Sequence, residues 1–137
     1  LVDRFNAFSR GATRMAVARR MRAEVARAYV APYERREQRR ATLRFVQDIP
    51  LGPEDPAWST VVETEASLSG FADTPTLILW GERDFVFDEA FLATWRTHLP
   101  HAIIETYPEA GHYLLEDEPD RVPARIEAFL RADSARQ

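Results

Sequence analysis

One short segment constrains the fold of this chain more than any other. Thr76-Leu77-Ile78-Leu79-Trp80 is a continuous apolar run bounded by Pro75 and Gly81. Without polar alternation, such a run predicts a strand covered on both faces, the situation of a parallel sheet flanked by helices. Downstream, Asp88 is suited to cap a helix over Glu89–His98, with Phe91, Leu92 and Trp95 on one face. Ala102–Tyr107, rich in Ile and Thr, predicts a second strand. Pro119 or Asp120 opens a last helix through Leu130, with Val122, Ile126, Phe129 and Leu130 facing inward. Strand alternating with helix gives a parallel sheet with right-handed crossovers, so the fold class is α/β. Two strands make an incomplete sheet, since parallel strands need both faces and both edges covered.

The region before the first strand follows helical grammar. Val2, Phe5, Ala12 and Met15 recur at helical spacing over 2–19, a short helix is expected over Ala23–Tyr29, and a third over Tyr33–Val46. Ile49–Pro56 carries three prolines and a glycine and reads as a joint, followed by a helix over Ala57–Ser69 with Trp58, Val61, Val62 and Leu68 as its apolar face. Two units are therefore expected, a helical segment over 1–50 and an α/β segment over 51–137. They differ in charge: the first carries 12 Arg and 5 acids, net +7, and the second 6 Arg and 17 acids, net −11. Arg35-Arg36 and Arg39-Arg40 share one helix face at i, i+4. A solvated face complementing the acidic remainder explains this pattern better than a phosphate grip, so no nucleic-acid partner is expected.

The chemistry lies beyond the strand ends. In an open parallel sheet, reactive groups gather in the crevice at the carboxyl ends of the strands. Asp84 follows the first strand end in Gly81-Glu82-Arg83-Asp84, and His112 follows the second in Gly111-His112-Tyr113. A carboxylate accepting a hydrogen bond from one imidazole nitrogen fixes the tautomer and aims the other nitrogen at a nucleophile or a water. Gly81 and Gly111 leave room for the backbone beside each group. Taken singly, Asp84 is also explained as a loop carboxylate and His112 as a histidine satisfied beside Tyr113. Together they fit the acid and histidine of a triad in the order nucleophile, acid, histidine. No Gly-x-Ser-x-Gly elbow occurs in the chain, so the nucleophile is expected upstream of Leu1 and the chain is expected to be inactive alone. His98 and His101 flank a turn expected at the opposite edge. Three separated histidines and no cysteine offer no metal-ligand spacing, so neither a metal nor a cofactor is expected.

The run Pro-Thr-Leu-Ile-Leu-Trp-Gly-Glu-Arg-Asp at Pro75–Asp84, followed by Gly-His-Tyr-Leu-Leu-Glu-Asp-Glu-Pro at Gly111–Pro119, resembles the C-terminal half of an α/β-hydrolase. The His-Tyr-Leu-x-Glu-Asp-x-Pro form is similar to the haloalkane dehalogenase branch. Ala28–Tyr33 and Arg44–Pro50 resemble that branch's helical cap, and the nearest likeness is to the dehalogenase-like β-lactone decarboxylases of olefin biosynthesis. The resemblance implies a nucleophilic Asp, supplied from outside this chain, that forms an ester on carbon. His112, held by Asp84, would activate water against that ester. In the lactone form of the reaction the ester collapses with loss of carbon dioxide to an alkene. A Ser nucleophile would make the same two residues part of an esterase, and an epoxide hydrolase or a non-catalytic interaction protein are further alternatives. The implied partner is a small apolar substrate: a haloalkane, a β-lactone or an ester. Phe45 from the cap, and Phe85 and Phe87 from the strand-end loop, are candidate pocket residues, with cap packing the other reading for Phe45. No apolar run approaches a membrane span's length of about 18 residues, so no membrane partner and a cytoplasmic location are expected. An uncovered sheet edge predicts association, with a homodimer the simplest form.

Overall fold

The computed structural model describes residues 6–135. Its helices are α1 (Ala7–Met15), α2 (Ala23–Val30), α3 (Arg40–Gln47), α4 (Trp58–Ser67), α5 (Glu89–His98), the single turn α6 (Leu114–Asp117) and α7 (Arg121–Ser134). Two strands, β1 (Leu77–Gly81) and β2 (Ile103–Tyr107), pair in parallel, with Leu77 opposite Ile103 and Gly81 opposite Tyr107. The β1–α5–β2 order therefore brings both strand ends to one edge of the sheet, as the alternation of elements requires. Asp88 caps α5 in the expected way: extended at ψ −173°, it accepts a hydrogen bond from the Ala90 amide at 3.0 Å.

The core sits under the carboxyl end of this sheet. Tyr107, Ala110 and Val122 are buried together, and Leu79 and Leu114 pack against them. Leu92 of α5 is fully enclosed. Beyond this cluster the apolar stripes outrun the surface available to them. Leu77 to Trp80 are only half-buried, not covered on both faces. On α7, Val122 points into the core and Phe129 is half-buried, but Ile126 and Leu130 are exposed; Phe91, Val61 and Val62 are exposed as well. A 14-residue helix is about 21 Å long, whereas two strands about 4.8 Å apart cover only a narrow band of it.

Two of the expected helices differ in detail. Val2 and Phe5 of the expected 2–19 helix lie outside the described residues. Within them, α1 stops at Met15 because the backbone of the next residues is committed elsewhere: Ala16 O accepts from the Tyr113 amide at 2.8 Å, and the Ala18 and Arg19 amides donate to Asp117. The buried positions of α1 are Ser9 and Thr13, while Met15 is exposed. The helix expected over Tyr33–Val46 is broken into short 3-10 turns, Ala31–Tyr33 and Glu37–Arg39, ahead of α3. Arg39 is the reason. Its guanidinium is buried and donates to the carbonyls of Tyr33 and Glu34 at 2.9 and 2.7 Å, taking acceptors that a continuous helix would use. Arg39 is therefore an interior bracket and not part of a solvated basic face. The 49–56 joint is irregular, as its prolines require.

Candidate active site

β1 ends at Gly81, and its backbone continues straight into the neighbouring loop: the Glu82 amide donates to Tyr107 O at 3.0 Å and the Arg83 amide to Ala110 O at 2.9 Å. The two strand-end loops are pressed together so closely that a Cβ on Gly81 would lie 2.4 Å from Gly111 O and 2.6 Å from Ala110 O. Gly111 is similarly confined, with Ala16 O 3.1 Å and Ala18 N 3.2 Å from the position of a Cβ. Neither glycine has a positive φ. Both are required by the approach of backbone to backbone, and not by turn geometry.

Asp84 and His112 face each other across this junction. Asp84 Oδ2 lies 2.8 Å from His112 Nδ1. The other carboxylate oxygen, Oδ1, accepts from the Val86 and Phe87 amides at 2.8 and 3.0 Å. The carboxylate is thus held at both oxygens, with only 9% of its side chain exposed against 30% for His112. A carboxylate accepts and does not donate, so the ring proton belongs on Nδ1, and in the neutral ring Nε2 carries the free lone pair. Such a ring can take a proton from a water or a nucleophile and is stabilised by Asp84 once it has done so.

Aromatic rings surround the imidazole. Phe87 lies 5.3 Å from it, centroid to centroid, and meets Phe91 edge-on at 5.0 Å. Tyr113 is 5.8 Å away and stacks on Tyr29 of α2 at 5.4 Å. Tyr29 donates its hydroxyl to Glu116 at 2.8 Å, and this bond, with some burial, raises the Tyr29 pKa above the ordinary phenol value; burial raises that of Tyr113. A cavity of about 220 Å³ beside Tyr113 is lined by Phe8, Thr13, Tyr29, Tyr33 and Thr42 among others. Of the three candidate pocket phenylalanines, Phe87 is the one in contact with His112. Phe85, in the same loop, is 61% exposed, and Phe45 is 67% exposed beside Arg44, Gln47 and Asp48. The larger open groove between α1 and α2, about 1070 Å³ and rich in Arg, is lined by neither member of the pair.

His98 and His101 bond Glu65 and the Thr74 carbonyl, at the end of the sheet away from the pair. Among the described residues no group of three or more His, Asp or Glu is arranged to hold a metal ion, and no helix is long and apolar enough to cross a membrane. One residue of the site is missing from the sequence reading: Asp117. Its buried carboxylate accepts from the amides of Gly111, Ala18 and Arg19 at 2.8, 2.9 and 2.9 Å. Within Glu116-Asp117-Glu118 nothing local distinguishes it as the one that binds these three amides.

No family model matches the chain. It is 50% identical over 126 residues to the cis-3-alkyl-4-alkyloxetan-2-one decarboxylase of Xanthomonas campestris pv. campestris, covering 92% of this chain and 42% of that protein. It is 49% identical over 131 residues to the protein of the same name from Shewanella oneidensis, covering 95% of this chain and 41% of that one. In fold it is similar to the crystal structure of a haloalkane dehalogenase from Bradyrhizobium elkani, with a TM-score of 0.86, 28% identity, and coverage of 99% of this chain and 47% of the other. The chain thus spans less than half the length of each of these relatives. In sequence and in fold together, it belongs to the dehalogenase-like branch of the α/β-hydrolases and corresponds to the C-terminal part of that fold.

Proposed function

We propose that this chain supplies the acid and the histidine of a nucleophile–acid–histidine triad, in an α/β-hydrolase that processes a small apolar substrate through an ester on an Asp nucleophile contributed by sequence outside the chain. The observation that carries this reading is the 2.8 Å hydrogen bond between His112 Nδ1 and Asp84 Oδ2 at the carboxyl ends of two adjacent parallel strands. In the hydrolytic reaction the nucleophile displaces a leaving group from carbon, which needs no base. His112 Nε2 then removes a proton from water as the water attacks the ester carbonyl, and Asp84 stabilises the imidazolium. The helices α1 to α3 serve as a cap over the site, with Tyr29 stacked on Tyr113 and the aromatic cavity beside it as a wall near the imidazole.

The identities of 50% and 49% to oxetanone decarboxylases favour a second reading of the same site. Attack of the nucleophile on the ring carbon bearing oxygen opens a β-lactone to an ester with a free carboxylate. Loss of carbon dioxide then sends its electron pair into the new double bond and expels the nucleophile, so no water enters. Here His112, as imidazolium, assists ring opening by hydrogen-bonding the departing carboxylate. Joining this chain to the N-terminal part of the Xanthomonas decarboxylase gives a protein in which both readings can be measured. Alcohol and halide from a haloalkane support the hydrolytic reaction; alkene and carbon dioxide from a β-lactone support the decarboxylative one. Intact-mass analysis of His112→Ala separates them further, since an ester adduct accumulates only where water must be activated to remove it. An unsubstituted fusion that folds and yields neither product set would refute the proposal.

A further inference from the structure

The catalytic reading of His112 requires its ring to stay aligned with Asp84, yet beyond that one hydrogen bond the ring's contacts, to Phe87 and Tyr113, are aromatic and non-directional. Its backbone is different. The residue before it, Gly111, donates its amide to Asp117 Oδ2 at 2.8 Å, and the residue after it, Tyr113, donates its amide to Ala16 O at 2.8 Å. Asp117 also receives the amides of Ala18 and Arg19, one on each oxygen, both at 2.9 Å. The histidine is therefore flanked by two anchors, both tied to the same stretch Ala16–Arg19. The close approach at Gly111, where a Cβ would meet Ala16 O and Ala18 N, leaves the two segments no slack. Asp117 is 3% exposed, and its three donors are all main-chain amides, which no other group in the stretch replaces.

We propose that Asp117 is the positioning residue of the site: it does not touch substrate, but clamps Gly111 to Ala18 and Arg19 and so sets the height and tilt of the His112 ring against Asp84. This rests on the reading of Asp84 and His112 as the catalytic pair. Hydrogen bonds from three amides to one buried carboxylate are of the stronger, charge-assisted kind. Replacing the carboxylate by the nearly isosteric amide in Asp117→Asn turns one acceptor into a donor facing a donor.

The test is nitrogen NMR of the His112 ring in the 137-residue chain, with amide hydrogen exchange on the same samples. In the unsubstituted chain the ring nitrogens report the Nδ1–H tautomer held by Asp84. In Asp117→Asn the ring signals move toward the mixed-tautomer values of free imidazole. The Gly111, Ala18 and Arg19 amides exchange at least about tenfold faster, the equivalent of one lost charged hydrogen bond. The β1 and β2 amides keep their protection. Glu118→Gln, at a neighbouring buried carboxylate paired with Arg19 and Arg121, leaves the His112 ring signals in place. A His112 tautomer unchanged in Asp117→Asn would overturn the proposal, as would loss of strand protection together with the ring signal, which would make Asp117 a general scaffold residue. Absence of the Nδ1–H tautomer from the unsubstituted chain would instead count against the Asp84–His112 pair itself.

Discussion

Substituting Gly81 by Ala tests whether the two strand-end loops meet as tightly as described, and Gly11→Ala supplies its control. Around Gly11 no heavy atom lies within 4 Å of a new Cβ, and the residue sits inside α1. Ala there improves helix propensity, stabilising by about 1 kcal/mol. At Gly81 the new methyl would meet the carbonyl oxygens of Gly111 and Ala110 at 2.4 and 2.6 Å, and both are backbone atoms that cannot rotate away. Relief requires the His112 loop to retreat by about 0.6 Å, toward the 3.0 Å that real contacts rarely undercut. Such overpacking costs about 1–3 kcal/mol. A retreat of that size also stretches the 2.8 Å Asp84–His112 bond to about 3.4 Å, beyond ordinary hydrogen-bond range. The two variants should then differ by about 2–4 kcal/mol, or roughly 8–16 °C in melting temperature for a chain of this size. Thermal melts of both, followed by circular dichroism and by the His112 ring signals, read the stability and the geometry separately. A Gly81→Ala protein as stable as Gly11→Ala, with His112 unchanged, would show that the loops are not in contact as described.

Two further predictions concern the scaffold. Tyr29 is held neutral by its hydrogen bond to Glu116 and by burial, so the folded chain keeps the phenol proton to higher pH than the unfolded chain. That stabilisation is complete below about pH 10 and is lost as pH rises through the raised value. Melts across the alkaline range should fall less steeply for Tyr29→Phe than for the unsubstituted chain, and equal slopes would discount the bond. Asp88→Ala removes the cap on the Ala90 amide and should cost about 1 kcal/mol in urea unfolding; no loss would mean that α5 is capped by other means.

What the sequence made legible was local, and what it hid was distant. Thr76–Trp80 declares a strand through its own composition, and Asp88 declares a cap by preceding a helical pattern. The placing of Asp84 and His112 at one sheet edge follows from β–α–β order alone. Asp117 had no such signal, because its partners Ala18 and Arg19 are 99 and 98 residues away. The same hidden contacts decide where α1 stops, since Ala16–Arg19 give their backbone groups to the histidine loop. Arg39 follows the same rule: only packing reveals that it turns inward to the Tyr33 and Glu34 carbonyls. The half-buried state of β1 likewise reflects how much surface covers it, which a strand's own residues do not encode.

The most direct test of the account is the turnover of the fusion between the N-terminal part of the Xanthomonas decarboxylase and this chain, compared with its His112→Ala and Asp84→Asn variants. Positioned acid–base groups contribute about 10²–10⁴-fold to rate. Both variants should therefore lose at least about a hundredfold in kcat on whichever substrate the fusion accepts, while folding as the unsubstituted fusion does. Variants that fold and turn over at the unsubstituted rate would contradict the assignment of Asp84 and His112 as the working pair.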